Sequence, residues 1–362
     1  MYIVITCSLI AILLTYLDSR KIINGGMKWG FILVTLLAVI HYDYGNDYMA
    51  YYNLYKQIES FASLGDLISS DFYRDAGWSV VNYLFRYLGG FFSLVAVISI
   101  FQGVVFYKSI NRFLPRHLWA FGIFIYLVTT SFYLLNFSML RQGFVIASFL
   151  AVWPLIEKRQ WWIVAPLLYL ASFIHGSALI LIPFAFWGYM PVRNGKTLIL
   201  LYSLLLVALY FSSRLLSQIP QMVFESTDAF DYYEDIYSDS DATIHFGVGF
   251  LIYLIPTIIS ILYIGHKEAN DEMKRMVALS CLVAFFTPLS QVIPMVGRVG
   301  MYFSVFRIIA LPLSYDIIKN KPLKIILIAL LCAILIFDYF KFFNSETFSL
   351  KYQTFHTIFE VL

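Results

Sequence analysis

Long apolar runs separated by short polar, basic connections recur along nearly the whole 362-residue chain. A run of about 20 apolar residues is what an α-helix needs to cross a bilayer. The pattern predicts spans near 2–17, 29–42, 89–107, 118–134, 139–156, 161–174, 177–190, 197–213, 246–265, 276–290, 299–318 and 325–342. The expected fold is therefore all-α: a polytopic integral membrane protein of about 12 transmembrane helices. It forms one membrane domain over 1–362, with longer external loops at about 43–76 and 214–245. The segment WSVVNYLFRYL at 78–88 has Arg86 inside an aromatic stretch and reads as an interfacial amphipathic helix.

Basic residues orient this array, because short loops rich in Lys and Arg stay cytoplasmic. Connections at 18–28, 108–117, 157–160, 192–196, 266–275 and 319–324 hold 16 of the 25 Lys and Arg. Twelve crossings keep all six on one side and put both termini outside. Composition agrees: 60% of residues are hydrophobic, 19% aromatic and 13% charged. A soluble domain carries about 25% charged residues, so an ordinary cytosolic enzyme, a disordered chain and a disulfide scaffold are all disfavoured. A net charge of +3 gives no reason to expect nucleic acid. Cys7, Cys281 and Cys332 lie far apart inside apolar segments, which argues against a disulfide or zinc site. The first segment lacks a basic n-region and an AxA-like site, so it reads as a retained helix.

Both long external connections are acidic. Residues 43–76 carry six acidic side chains against two basic ones, and residues 214–245 seven against one. Tyrosines among them suit contact with sugars, which accept both ring stacking and hydrogen bonds.

Ionisable residues at span ends are costly unless they face a partner or a polar cavity, so they are the first functional candidates. Arg141 lies in LLNFSMLRQGFVIA with Gln142 and Gly143 beside it, near the outer end of the fifth span. Arg298 lies in PMVGRVGMYF between Gly297 and Gly300, whose missing side chains leave room for a large anion. Arginine suits a diphosphate because its planar fork makes paired hydrogen bonds and stays charged. Arg307, deeper in the same segment, is a candidate partner for Asp316 or a residue of the cavity floor. His175, in ASFIHGSALILI at an external turn, can exchange protons near neutrality. Asp47 lies in HYDYGNDYMAYYNLY, either as a helix N-cap or as a carboxylate that orients or deprotonates a sugar hydroxyl. After it, Tyr48, Tyr51, Tyr52 and Tyr55 follow helical spacing and form one aromatic face. Tyr48, Tyr51 and Gln142 are the candidates for sugar contact.

Four segments, YGNDYMAYY, LNFSMLRQGFVIA, ASFIHGSALILI and GRVGMYF, in this order, resemble the EpsG-type, Wzy-like polysaccharide polymerases of bacteria. The resemblance covers roughly residues 40–305. Such proteins usually carry an arginine shortly before the GxDY element, where this chain has His41. The resemblance implies a cytoplasmic-membrane glycosyltransferase of GT-C-like architecture, working on the external (periplasmic) face without metal or cofactor. Its implied partners are polyprenyl-diphosphate-linked oligosaccharides as donor and acceptor, the bilayer, and a chain-length regulator. The product would be O-antigen, capsule or exopolysaccharide. The matching positions make Arg141 and Arg298 diphosphate ligands and His175 and Asp47 candidate bases. An O-antigen ligase shares this donor chemistry. A flippase of the same lipid-linked sugar would place its charges nearer the membrane midplane.

Overall fold

The structure is a computed structural model that describes residues 1–70, 72–73, 75–191, 195–216, 248–267, 269–291, 293 and 295–361. It is helical nearly throughout, with a single two-residue strand pair among the described residues. Most of the second acidic connection lies outside the described residues. Contacts gather into two compact units: Met1–Tyr189 with Cys332–Leu362, and Met190–Leu331.

The first unit opens with α1 (Tyr2–Ser19) and α2 (Gly26–Ile40), two antiparallel apolar helices. They approach closely because Gly30 faces Ala11: a Cβ there would lie 2.9 Å from the Ala11 carbonyl oxygen. α6 (Gly90–Phe113) follows the same rule at Gly103, which faces Thr35 of α2. Small residues at such contacts let backbones pack tightly where lipid supplies no hydrophobic drive. α7 (Trp119–Val128), the one-turn α8 (Tyr133–Asn136), α9 (Leu140–Ala151), α10 (Trp153–Glu157) and α11 (Trp161–Ser172) complete the array. A 3-10 helix, Gly176–Tyr189, closes it.

Three basic connections meet this unit's packing at one end. Arg116 Nε donates to the Asp18 carbonyl at 2.9 Å, and the Asp18 carboxylate accepts the Met27 N–H at 3.0 Å. The Arg159 guanidinium lies 4.9 Å from the Tyr189 ring centroid.

At the opposite end, part of the expected external loop folds into helices. α3 (Tyr48–Glu59), α4 (Leu64–Ser69) and α5 (Ala76–Phe85) form a cap. The tyrosine periodicity holds, since α3 buries Tyr48, Tyr51 and Tyr55 against Trp78 and the start of α6. α5 covers most of the expected interfacial helix, and it is anchored: Trp78 is buried and Arg86 donates to the Phe61 carbonyl at 2.9 Å.

β1 (His41–Tyr42) pairs antiparallel with β2 (His356–Thr357) at this same end. Lys351 binds both oxygens of Asp43 at 2.7 and 3.0 Å, and Asn46 donates to the Thr347 carbonyl at 3.0 Å. The Met1 ammonium donates to the Gln353 carbonyl. The turn between β1 and α3 rests on Gly45, whose φ of +126° is a conformation other residues avoid. Its α-carbon also lies directly against the chain at Phe137 and Ser138.

The second unit comprises α12 (Gly195–Leu216), α13 (Val248–Ile264), α14 (Asp271–Cys281), α15 (Val283–Leu289), α16 (Met295–Ser304) and α17 (Arg307–Asp316). The sequence continues into α18 (Lys321–Asn344), after which come α19 (Ser349–Tyr352) and β2. α16 and α17 are two halves of one apolar stretch, bent by 54°.

Four helices among the described residues are long and apolar enough to cross a bilayer: Tyr2–Ser19, Gly90–Phe113, Leu140–Glu157 and Lys321–Asn344. The bent pair makes up to five, and several shorter apolar helices lie between them.

Replacing Gly45 by Ala would put a Cβ 2.7 Å from the Phe137 carbonyl oxygen and force an L residue to positive φ. Such a backbone position costs about 1–3 kcal/mol. The expected result is a lower unfolding temperature in detergent micelles, and an unchanged melt would remove this contact from the account.

Candidate active site

The start of α9 carries Arg141 at the cap end of the first unit. Its Nη1 donates to Asp75 Oδ2 in an ion pair that leaves the two side chains 17% and 14% exposed. So much shielding protects the pair from the screening that weakens surface ion pairs. Two aromatic rings flank the guanidinium: its carbon lies 5.5 Å from the Tyr51 centroid and 5.2 Å from that of Tyr73. The Tyr51 hydroxyl hydrogen-bonds it as well. Nε is buried and meets no acceptor among the described residues.

Asp75 reaches a third element. Its other oxygen, Oδ1, accepts the Gly176 N–H at 3.2 Å. The neighbouring Trp78 N–H donates to the Phe173 carbonyl at 3.1 Å, and Gly77 packs against the Phe173 backbone. α5 is thereby stitched to the turn 173–176, which holds His175. One carboxylate links the fifth expected span to the turn after the sixth.

Gln142 and Gly143 follow Arg141 into the helix bundle. Gln142 is buried, and Gly143 faces the Asn136 Oδ1 and Gln102 Nε2 atoms, where a Cβ would intrude to 2.6 and 2.7 Å. Polar groups gathered beneath the arginine make this part of the bundle hydrophilic, and glycine is what lets them approach.

The structure therefore brings Arg141, Gln142, His175 and Tyr51 to one neighbourhood. Tyr48 is different: its ring is fully buried between His41 and Phe91, and its hydroxyl donates to the His41 carbonyl at 3.2 Å. With no face open, it is not a stacking platform for sugar. Burial, with Tyr42 and Tyr52 nearby, pushes its phenol pKa up and keeps it a neutral donor. The Asp47 residue is exposed at the start of α3, with its backbone N–H on Ser138 Oγ at 3.0 Å.

Arg298 belongs to the second unit, half-buried on α16. Of the glycines beside it, Gly300 faces Phe286, where a Cβ would lie 3.0 Å from the Phe286 Cβ, and Gly297 faces Ser290 at ordinary contact distance. The expected Arg307–Asp316 contact gives way to two others. Asp316 binds Lys324 at 2.7 Å, and Arg307 lies 5.6 Å from the Tyr253 ring centroid.

Asp75 is the residue that sequence reasoning passed over. It was hidden among six acids of one connection, although the segment DAGW, an acid and a small residue before a buried tryptophan, marks a helix start.

The EpsG family model matches residues 28–354, nearly the whole chain. The chain belongs to the EpsG family. The match contains the four segments that carried the resemblance, including the Gly45 turn, Arg141 and His175. EpsG-like proteins are Wzy-type polysaccharide polymerases, so membership supports a polymerase-like role in the membrane. No curated protein and no solved structure matches the chain.

Removing one partner of a buried ion pair costs about 3–5 kcal/mol, and partial exposure reduces that here to about 1–3 kcal/mol. Asp75→Ala is expected to destabilise the folded protein by that amount. Asp75→Ala combined with Arg141→Leu should cost clearly less than the two single changes added together. Thermal unfolding of all three variants in micelles checks this, and strictly additive losses would show that the two side chains are not coupled.

Proposed function

We propose that this EpsG-family chain joins polyprenyl-diphosphate-linked oligosaccharide repeat units at the external face of a cytoplasmic membrane. The observation that carries the reading is Arg141: a guanidinium framed by two tyrosines at the end of an apolar helix, with one N–H still lacking an acceptor among the described residues. Such a group suits the phosphate oxygens of a lipid carrier lying at the bilayer edge. The external placement follows from the basic connections, whose described contacts lie at the other end of the same unit.

In the transfer, an acceptor sugar hydroxyl attacks the anomeric carbon of the donor. The bond from that carbon to the diphosphate breaks, and its electron pair leaves with the diphosphate. Arg141 stabilises the charge that develops there. His175 accepts the hydroxyl proton; it is favoured over Asp47 because its turn is held by the Asp75 that also holds Arg141. Tyr51, 9% exposed beside the guanidinium, is the sugar contact retained here, and Gln142 is buried. Arg298 is a second anion-binding arginine on the strength of its sequence motif. Transfer by direct displacement inverts the anomeric centre and needs no metal, since diphosphate is already a good leaving group.

The twelve-crossing topology is part of the same reading. The short segment after His175 supports it: fourteen residues of 3-10 helix at about 2.0 Å each extend roughly 28 Å, near the hydrocarbon thickness. A GT-C-like arrangement and a chain-length regulator as partner belong to this proposal as well.

Arg141→Ala and Arg298→Ala are each expected to abolish polymerisation while the protein still inserts in the membrane. Gels of surface polysaccharide from a complemented deletion strain read this directly. Glycan carrying a single repeat supports the polymerase, and normal chain lengths in the Arg141 variant overturn it. Polymer formed but not attached to its lipid core indicates a ligase, and repeats trapped inside the membrane indicate a flippase.

A further inference from the structure

The Asp75–Arg141 pair poses a question for any anion that binds here. The guanidinium is already neutralised by a carboxylate on a different helix, in a shielded setting where that charge counts. A purely anion-binding arginine gains nothing from a fixed counter-ion, which lowers its affinity for every other anion.

We propose that Asp75 is a displaceable counter-anion: a positioning residue that occupies Arg141 until the carrier diphosphate takes its place. The inference rests on the reading of Arg141 as the diphosphate ligand and adds how that site is kept selective. Three features support the exchange. Tyr51 and Tyr73 hold the guanidinium between them, so it stays in place when the carboxylate leaves. The buried Nε gives an incoming diphosphate a donor that Asp75 does not use. Asp75 in turn has a second anchor in the Gly176 N–H, so it can release Arg141 without being left unpartnered.

Selectivity follows from the competition. A singly charged anion offers no more charge than the carboxylate it must displace. A diphosphate offers more charge and more acceptor oxygens, and it can engage Nε and the terminal nitrogens together. The exchange also reports occupancy to the neighbouring turn, because the carboxylate that moves off Arg141 is bonded to the residue next to His175.

The test uses the full-length protein in lipid nanodiscs with inorganic diphosphate as the probe, measured by calorimetry. Asp75→Asn is expected to bind diphosphate about tenfold more tightly than the unaltered protein, yet to polymerise poorly. Asp75→Glu keeps the charge and is expected to stay within about twofold of the original affinity. The gain in Asp75→Asn should vanish when Arg141→Ala is added. A merely structural Asp75 would not raise affinity on neutralisation, so equal or weaker binding in Asp75→Asn overturns the proposal.

Carbodiimide labelling of Asp75 in the unaltered protein gives a second reading that needs no variant to fold. Labelling should rise severalfold when diphosphate is added, and an unchanged level counts against the exchange. Failure here is separable from failure of the functional reading. A variant Arg141→Ala that polymerises normally sinks the latter whatever the binding data say. A dead Arg141→Ala beside an Asp75→Asn with no gain in affinity sinks only the exchange.

Discussion

A guanidinium at the mouth of an apolar helix cannot be left alone, and the cap end of the first unit is organised around that constraint. Desolvating a charge costs several kcal/mol unless a partner and hydrogen bonds compensate. Arg141 finds its partner in Asp75, at the start of α5, and its packing in the rings of Tyr51 and Tyr73. Because Asp75 also holds Gly176, the requirement of one side chain on α9 positions α5 and the turn after α11. The aromatic face of α3 is set by the same demand, since Tyr51 touches both the arginine and Trp78.

A second constraint acts on the backbone. The chain leaving α2 passes hard against Phe137 and Ser138, and only Gly45 has both the space and the φ for it. That contact brings the GNDY segment onto the segment just before α9. The C-terminal residues then cover the other side: Tyr44 packs edge-on to Tyr352 and Phe355 at 5.0 Å each, and Lys351 closes on Asp43. Burial raises the Tyr44 phenol pKa well above the ordinary tyrosine range, so the contact stays neutral. Asp47, one of the two candidate bases, is exposed outside this packing.

How much was legible follows from which physics leaves a local trace. Apolar periodicity is local, so the expected spans fall on helical segments among the described residues, of which four or five are long and apolar enough to cross a bilayer, and the tyrosine stripe of α3 falls where spacing puts it. The prominence of Arg141 was legible because a charge in an apolar run is conspicuous. Its partner was not, because six acids in one connection look alike until the fold selects one. The neighbour of Gly300 was not legible for a related reason: a small residue admits whatever comes close, and here that is a helix carrying Phe286. Likewise Tyr48 and Tyr51 are indistinguishable by spacing and both buried, yet Tyr51 lies against the arginine and Tyr48 against His41.

Polar groups near Arg141 are graded with depth. Beneath Arg141 lie Gln142, Gln102 and Asn136, gathered where Gly143 makes room. Ser99, one turn toward the cap on the α6 helix, uses its hydroxyl on the Ala38 carbonyl at 3.1 Å and adds no further charge. Polarity thus decreases from an ion pair at the mouth to neutral amides below it. A flippase needs a polar path that serves a headgroup from both faces. A transferase needs only to hold a diphosphate at the edge while its lipid tail remains in the bilayer; the amides beneath Arg141 are compatible with that, and the opposite end of the unit carries its own Asp18–Arg116 ion pair.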